Sequence, residues 1–215
     1  MAVVSCTANL LVLESSTGDE QTRAALHSAT VPALVFALVA GAYAASTDRR
    51  FGFIDQRLLT DPSRARWLGA KAVAQALVGL GYGSLGAATA VATSTIVFAA
   101  RGDTFDSTST VVVRALLGVI LAAPLFAVIG AAIGSLTGNT SAIVACLLVW
   151  VLVIEPPTVL GLPEIGRWLP AAAGLGLTLS PDAALLGQVH GGVALSAYAA
   201  SGLSLAARRF LQSDM

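Results

Sequence analysis

The chain has few residues whose type and spacing point to chemistry, and they are scattered. Lys71 is its only lysine and lies between Ala70 and Ala72. A P-loop needs Gly-Lys-Ser/Thr so that backbone amides and a lysine grip the phosphates together, so any ATPase that serves this chain is a separate polypeptide. Gly81-Tyr82-Gly83-Ser84-Leu85-Gly86 matches GxGxxG, but a dinucleotide fingerprint needs a strand before it and a helix after it. Here the motif lies inside a long uncharged helical stretch, where close helix packing through small residues is the better reading. Gly79, four residues before Gly83, extends it, and Gly130, Gly134 and Gly138 repeat the same spacing further on. Cys6 and Cys146 are far apart and belong to no CxxC pair, which argues against a disulfide framework and a zinc site. Val3 to Cys6 resembles a lipoprotein cleavage box, but too few residues precede it for a signal region. His27 and His190 are isolated, so serine chemistry lacks a base, and solvated or capping roles fit both. No catalytic residue, metal ligand or bound cofactor is expected in this chain.

The elements that must position these residues follow from composition. The 215 residues are 56% hydrophobic and 11% charged, against about 25% charged in soluble domains. The net charge is zero, which gives nucleic acid no electrostatic footprint. Crossing a bilayer takes about 20 apolar residues as a helix, because each backbone amide must be paired within the segment. An all-α integral membrane protein is expected, a single membrane-spanning domain over 1–215 with about five transmembrane helices at 29–46, 68–100, 111–136, 141–156 and 183–207. Pro156-Pro157 is expected to end the fourth. The apolar run 168–180 is too short to cross and is cut by Pro170, so 158–182 reads as an outer re-entrant hairpin before the last helix. The polar stretch Thr137-Gly138-Asn139-Thr140-Ser141 reads as a turn.

Orientation follows from the basic residues. Arg49, Arg50, Arg57, Arg64, Arg66 and Lys71 lie between the first two spans, and Arg208-Arg209 follow the last. Placing these inside leaves Arg23, Arg101, Arg114 and Arg167 outside and puts the C-terminus in the cytoplasm. No charge occupies the centre of a span. Such residues persist mainly where ions or protons move, so a proton-coupled carrier is disfavoured. Glu155, at the outer mouth of the fourth span, reads as an anchor that caps exposed amides at the root of the hairpin rather than as a substrate ligand.

The segment 47–67 is the most informative. Phe51, Ile54 and Leu58 recur at i, i+3 and i+7 while Arg50 and Arg57 take other faces, the pattern of a short amphipathic helix. Asp61 suits an N-cap and Pro62 the first position of the next helix. The apolar face can lie on the membrane surface or dock on a cytosolic partner. Thr47-Asp48-Arg49-Arg50-Phe51-Gly52-Phe53, then Leu58-Leu59-Thr60-Asp61-Pro62-Ser63-Arg64 and Lys71, resemble the type-2 ABC transporter permeases, especially the actinobacterial drug- and antibiotic-exporter group. That family has a Gly-Glu-Tyr-x-x-Gly-Thr-like motif followed by Leu-Leu-x-x-Pro-x-x-Arg and a lysine. The acid, the glycine and the Pro/Arg pattern are kept, and the Glu, Tyr and Thr positions differ. Ile129 to Asn139 and Leu147 to Pro170 extend the similarity.

The resemblance implies a permease subunit of an ATP-binding-cassette exporter in the cell membrane, paired with a second permease copy or homologue. ATP and Mg would be bound by a partner ATPase subunit, and 47–67 would be the coupling loop, with Asp48, Phe51, Gly52, Ile54 and Leu58 facing that partner. The alternative is a membrane scaffold or immunity protein without transport of its own. Such permeases begin with one more helix, of which Met1 to Leu13 resembles the last part, with Glu14 to His27 as the outer segment that follows it. Either the translation start is set too late, which is the expectation, or the chain truly lacks that helix and is a five-span variant. DNA upstream of Met1 is expected to encode, in frame, further apolar residues preceded by an Arg/Lys-rich stretch; an in-frame stop immediately upstream would refute the late start.

Overall fold

The computed structural model describes residues 18–51, 64–101, 107–136, 139–178 and 185–212. Their regular structure is entirely helical. In chain order these are α1 (Gly18–Arg50), α2 (Arg64–Arg101), α3 (Thr110–Gly134), α4 (Thr140–Val149), a π-helical turn (Trp150–Ile154), α5 (Glu155–Gly161), α6 (Pro163–Gly166), α7 (Pro170–Leu177) and α8 (Gln188–Gln212). Among the described residues four helical stretches are long and apolar enough to cross a membrane: Thr30–Arg50, Gly69–Ala100, Thr110–Gly134 and Thr140–Gly161. The chain is an all-α membrane protein.

The bundle is organised around α3. Leu34 and Leu38 of α1, Val119 and Phe126 of α3, Leu177 of α7 and Leu195 of α8 share one buried core. Side chains alone do not account for its tightness, because lipid tails are as apolar as leucine and the helices gain little from hiding apolar area from them. Small residues do, by letting backbones touch. A Cβ on Gly130 would stand 2.9 Å from the Leu38 carbonyl carbon, and one on Gly134 would stand 2.9 Å from the Ala42 Cα. The pairings advance together, so α1 and α3 run parallel. On another side of α3, a Cβ on Gly79 would meet the Pro124 Cα at 2.6 Å and one on Gly83 the Ile120 Cα at 3.1 Å, so α2 runs antiparallel to it.

The last helix returns to the side where α1 ends. Gln188 Nε2 donates to the Arg114 carbonyl at 3.0 Å, near the start of α3, and Gly202 faces Ala132 near its end. α8 has 25 residues, about 37 Å at helical rise. It is less apolar than the other four, with Ser196, Ser201 and Ser204 along its length. Each of these hydroxyls donates to a carbonyl of its own helix, which shelters the polar atoms.

Several boundaries differ from the sequence expectation. The first helix extends beyond 29–46 in both directions, to Gly18 and Arg50, since nothing in Thr47-Asp48-Arg49-Arg50 breaks a helix and two arginines suit its C-terminal dipole. Residues 47–50 and 64–67 of the expected coupling loop therefore belong to α1 and α2. The fourth span does not stop at Pro156-Pro157 but stays helical to Gly161. The π-turn explains this: the Glu155 amide donates to the Trp150 carbonyl, and the prolines fall in the first turn of α5, where amides go unpaired in any case. The expected last span, 183–207, is seen as a helix from Gln188 to Gln212.

The fourth span is peripheral. In its most apolar stretch 11% of residues are buried, against 61% for α3. Where glycine carries a packing contact, replacement is expected to be costly; where it faces open space, it is not. Gly130→Ala should destabilise by about 1–3 kcal/mol through overpacking, whereas Gly81→Ala, with nothing within 4 Å, should be neutral or stabilising by up to about 1 kcal/mol. Reversible unfolding in mixed micelles measures both, and equal effects would show that the glycine contacts do not set the packing.

Candidate functional site

Two places gather polar side chains in an otherwise apolar bundle, one at each end. At the first, where α1 ends and α2 begins, Asp48 pairs with Lys71. Arg49 Nη1 donates to the Ser135 carbonyl at the end of α3. Ser46 Oγ donates to Thr140 Oγ1 at 3.1 Å, joining α1 to the start of α4. This corner is thus tied to every neighbouring helix. Phe51 lies just outside it, 62% exposed, with the Arg50 guanidinium 5.9 Å from its ring centroid. That is within reach of a cation–π attraction.

Of the residues expected to couple to a partner, Asp48 is turned inward to Lys71 and Phe51 outward. Gly52, Ile54 and Leu58 lie outside the described residues. Of the expected packing glycines, Gly79, Gly83, Gly130 and Gly134 sit at helix contacts within the chain, and Gly138 lies outside the described residues.

The second place is Glu155, buried to 2% exposure. The π-turn positions it. Five residues apart on an α-helix two side chains diverge, but the wider turn brings the Trp150 indole to the side of the Glu155 carboxylate. Both carboxylate oxygens also accept from the Ala171 amide at 3.1 Å. Ala171 is the second residue of α7, whose Leu169 supplies no side-chain cap, so a carboxylate from sixteen residues earlier in the chain satisfies an orphan amide at the positive end of the helix dipole.

The intervening chain makes this possible by folding back. α6 returns along α5 so closely that a Cβ on Gly166 would stand 2.5 Å from the Val159 Cα. α7 then runs outward to seat Leu177 and Thr178 against Gly118 of α3. The expected hairpin 158–182 thus contains two turn-backs and three short helices over its described part.

An apolar cavity of about 260 Å³ opens beside Glu155, lined among others by Val151, Val159, Leu160, Leu175 and Leu185. Among the described residues no Lys, Arg or His nitrogen lies within the 4.0 Å of a salt bridge to Glu155. Arg167 instead pairs with Glu164 at 2.6 Å, an exposed contact of small worth. Among the described residues no three His, Cys, Asp or Glu side chains gather as a metal site would require.

Sequence reasoning singled out Glu155 but not the groups that meet it. Trp150 is one residue out of α-helical register with it, and Ala171 contributes only backbone. Nor did it join Asp48 to Lys71, although a lone lysine at the mouth of an uncharged span invites a search for its counter-ion.

Compared with protein-family models, with curated proteins and with solved structures, the chain matches none.

If Glu155 holds α7 in place, Glu155→Ala leaves the Ala171 amide unpaired and should cost about 1–3 kcal/mol, while Glu155→Gln, which keeps an acceptor, should cost less. Thermal unfolding of the detergent-solubilised protein distinguishes them. An alanine variant as stable as the parent would end the capping account.

Proposed function

We propose that this chain is the membrane-spanning permease subunit of an ATP-binding-cassette exporter, moving substrate by conformational changes that partner ATPase subunits drive. The observation that carries the reading is the braced corner at the end of α1. Asp48 to Lys71 and Arg49 to Ser135 fix both ends of the segment between α1 and α2 to the central helices. A push on that segment is then delivered to α1, α2 and α3 together, which is what a coupling element requires. The similarity of Thr47 to Lys71 to type-2 ABC permeases supports the same assignment.

In this reading the corner faces the cytoplasm, where positive residues accumulate. Arg49, Arg50, Arg66, Arg208 and Arg209 all lie at that end of the bundle, so the C-terminus is cytoplasmic and the membrane is the cell membrane. Phe51, Ile54 and Leu58 form the docking face for a groove in the ATPase, as helix-in-groove recognition uses i, i+3 and i+7 anchors. Asp48 and Gly52 position it. ATP and Mg are bound by the ATPase, and a second permease copy or homologue completes the path. The cycle involves no covalent chemistry in this chain.

Co-expression with a P-loop ATPase from a neighbouring reading frame tests the reading. The two should co-purify, and the ATPase should depend on this chain for its full turnover. Phe51→Asp and Leu58→Asp should abolish ATP-driven transport while leaving the bundle folded. ATPase binding and transport that survive both substitutions would remove the docking role, and an ATPase indifferent to the chain would leave a scaffold.

A further inference from the structure

We infer that the cavity beside Glu155 binds an amphiphilic ammonium compound, with the charged nitrogen on the carboxylate and the hydrocarbon part in the cavity and adjoining lipid. This names the class of cargo and to that extent rests on the exporter reading, although binding itself requires no ATPase.

Three observations carry it. The first is a surplus of acceptor capacity and charge. A carboxylate offers about four acceptor sites, and among the described residues Glu155 accepts from one donor, the neutral Ala171 amide. Capping one amide does not call for a glutamate, since neutral Ser or Asn performs that task at ordinary helix starts.

The second is the lack, among the described residues, of a counter-ion within salt-bridge reach at a site 2% exposed. Ionised side chains at membrane depth are costly unless paired, and those that persist mark ligand or ion paths. The missing positive charge is what a bound ammonium supplies, through an ion-paired hydrogen bond stronger than the one the uncharged amide gives.

The third is the shape of the adjoining space. Its walls are aliphatic, and Leu160 at its rim is 85% exposed on the surface of a peripheral helix. A ligand can enter sideways from the outer part of the bilayer without passing through the tight core around α3. At about 260 Å³ the cavity holds a primary ammonium with a small ring or several methylenes, and the remainder of a longer chain extends into lipid. Anions are repelled by the carboxylate, and neutral amphiphiles gain only the apolar part of the contact.

An ammonium group can come from a free lipophilic amine or from a phosphatidylethanolamine headgroup. Both are separated in one assay, using full-length protein with Trp67→Phe and Trp168→Phe so that fluorescence reports Trp150 alone. In phosphatidylglycerol nanodiscs, dodecylamine should give a saturable change that dodecanol does not. Glu155→Gln should weaken it about tenfold or more. Val159→Phe, which fills the cavity and leaves the carboxylate intact, should weaken it as well, so a fold defect in one variant does not decide the matter. Adding phosphatidylethanolamine shifts the dodecylamine curve if the headgroup is the native occupant and leaves it unchanged if a free amine is; either result supports an ammonium site. An equal saturable response to dodecanol, or unaltered dodecylamine binding in both variants, overturns the proposal. Dodecylamine binding by a chain that engages no ATPase would remove the exporter reading and keep the site.

Discussion

The close approach of backbones around α3 is the constraint on which the rest of this molecule depends. In lipid there is no apolar area to hide, so helices associate through contact quality and through the few polar groups they share. Gly130 and Gly134 bring α1 down onto α3, Gly79 and Gly83 bring in α2, and Gly118 receives the end of α7. Each depends on the absence of a side chain at one position. Once these contacts form, the three long helices share one core and the remaining elements can only attach around it.

The polar interactions then divide between the ends. At one end, charges and hydroxyls tie α1 to α2, α3 and α4 by short links. At the other, a single carboxylate reaches across a folded-back loop to hold a short helix by its first turn. Many braces give the first end stiffness in which motion of one helix is motion of all. At the second end that carboxylate is what ties the peripheral span to α7, while Gln188 joins α8 to the start of α3.

The sequence made much of this legible and left specific parts hidden. Long uncharged apolar runs could be read as spans because burial in lipid demands about 20 such residues in a row. Glycines four apart were readable as contact points because their spacing is that of a helix face. The proline-rich stretch after Glu155 announced a break in regular structure but not its form. An uninterrupted α-helix followed by a stop was the natural expectation, and the π-turn that carries the helix through Pro156-Pro157 has no signature in residue type. The isolated contact glycines Gly41, which packs on the Ala127 backbone, and Gly118 escaped for a similar reason, since one small residue has no periodicity to betray it. The extension of α1 to Arg50 was hidden because a polar helix end and a polar loop have the same composition.

The unequal burial of the spans also fixes how the molecule meets a bilayer of changing thickness or lateral pressure. α1, α2 and α3 are interlocked backbone to backbone, so they tilt as a block and offer little compliance. The fourth span, with 11% of its apolar stretch buried and a π-turn in its middle, has few contacts to break and a loosened hydrogen-bond ladder to wind or unwind. Mechanical strain imposed by the lipid is therefore taken up there more readily than in the block, and it passes to α7 through Glu155 and to α1 through Thr140.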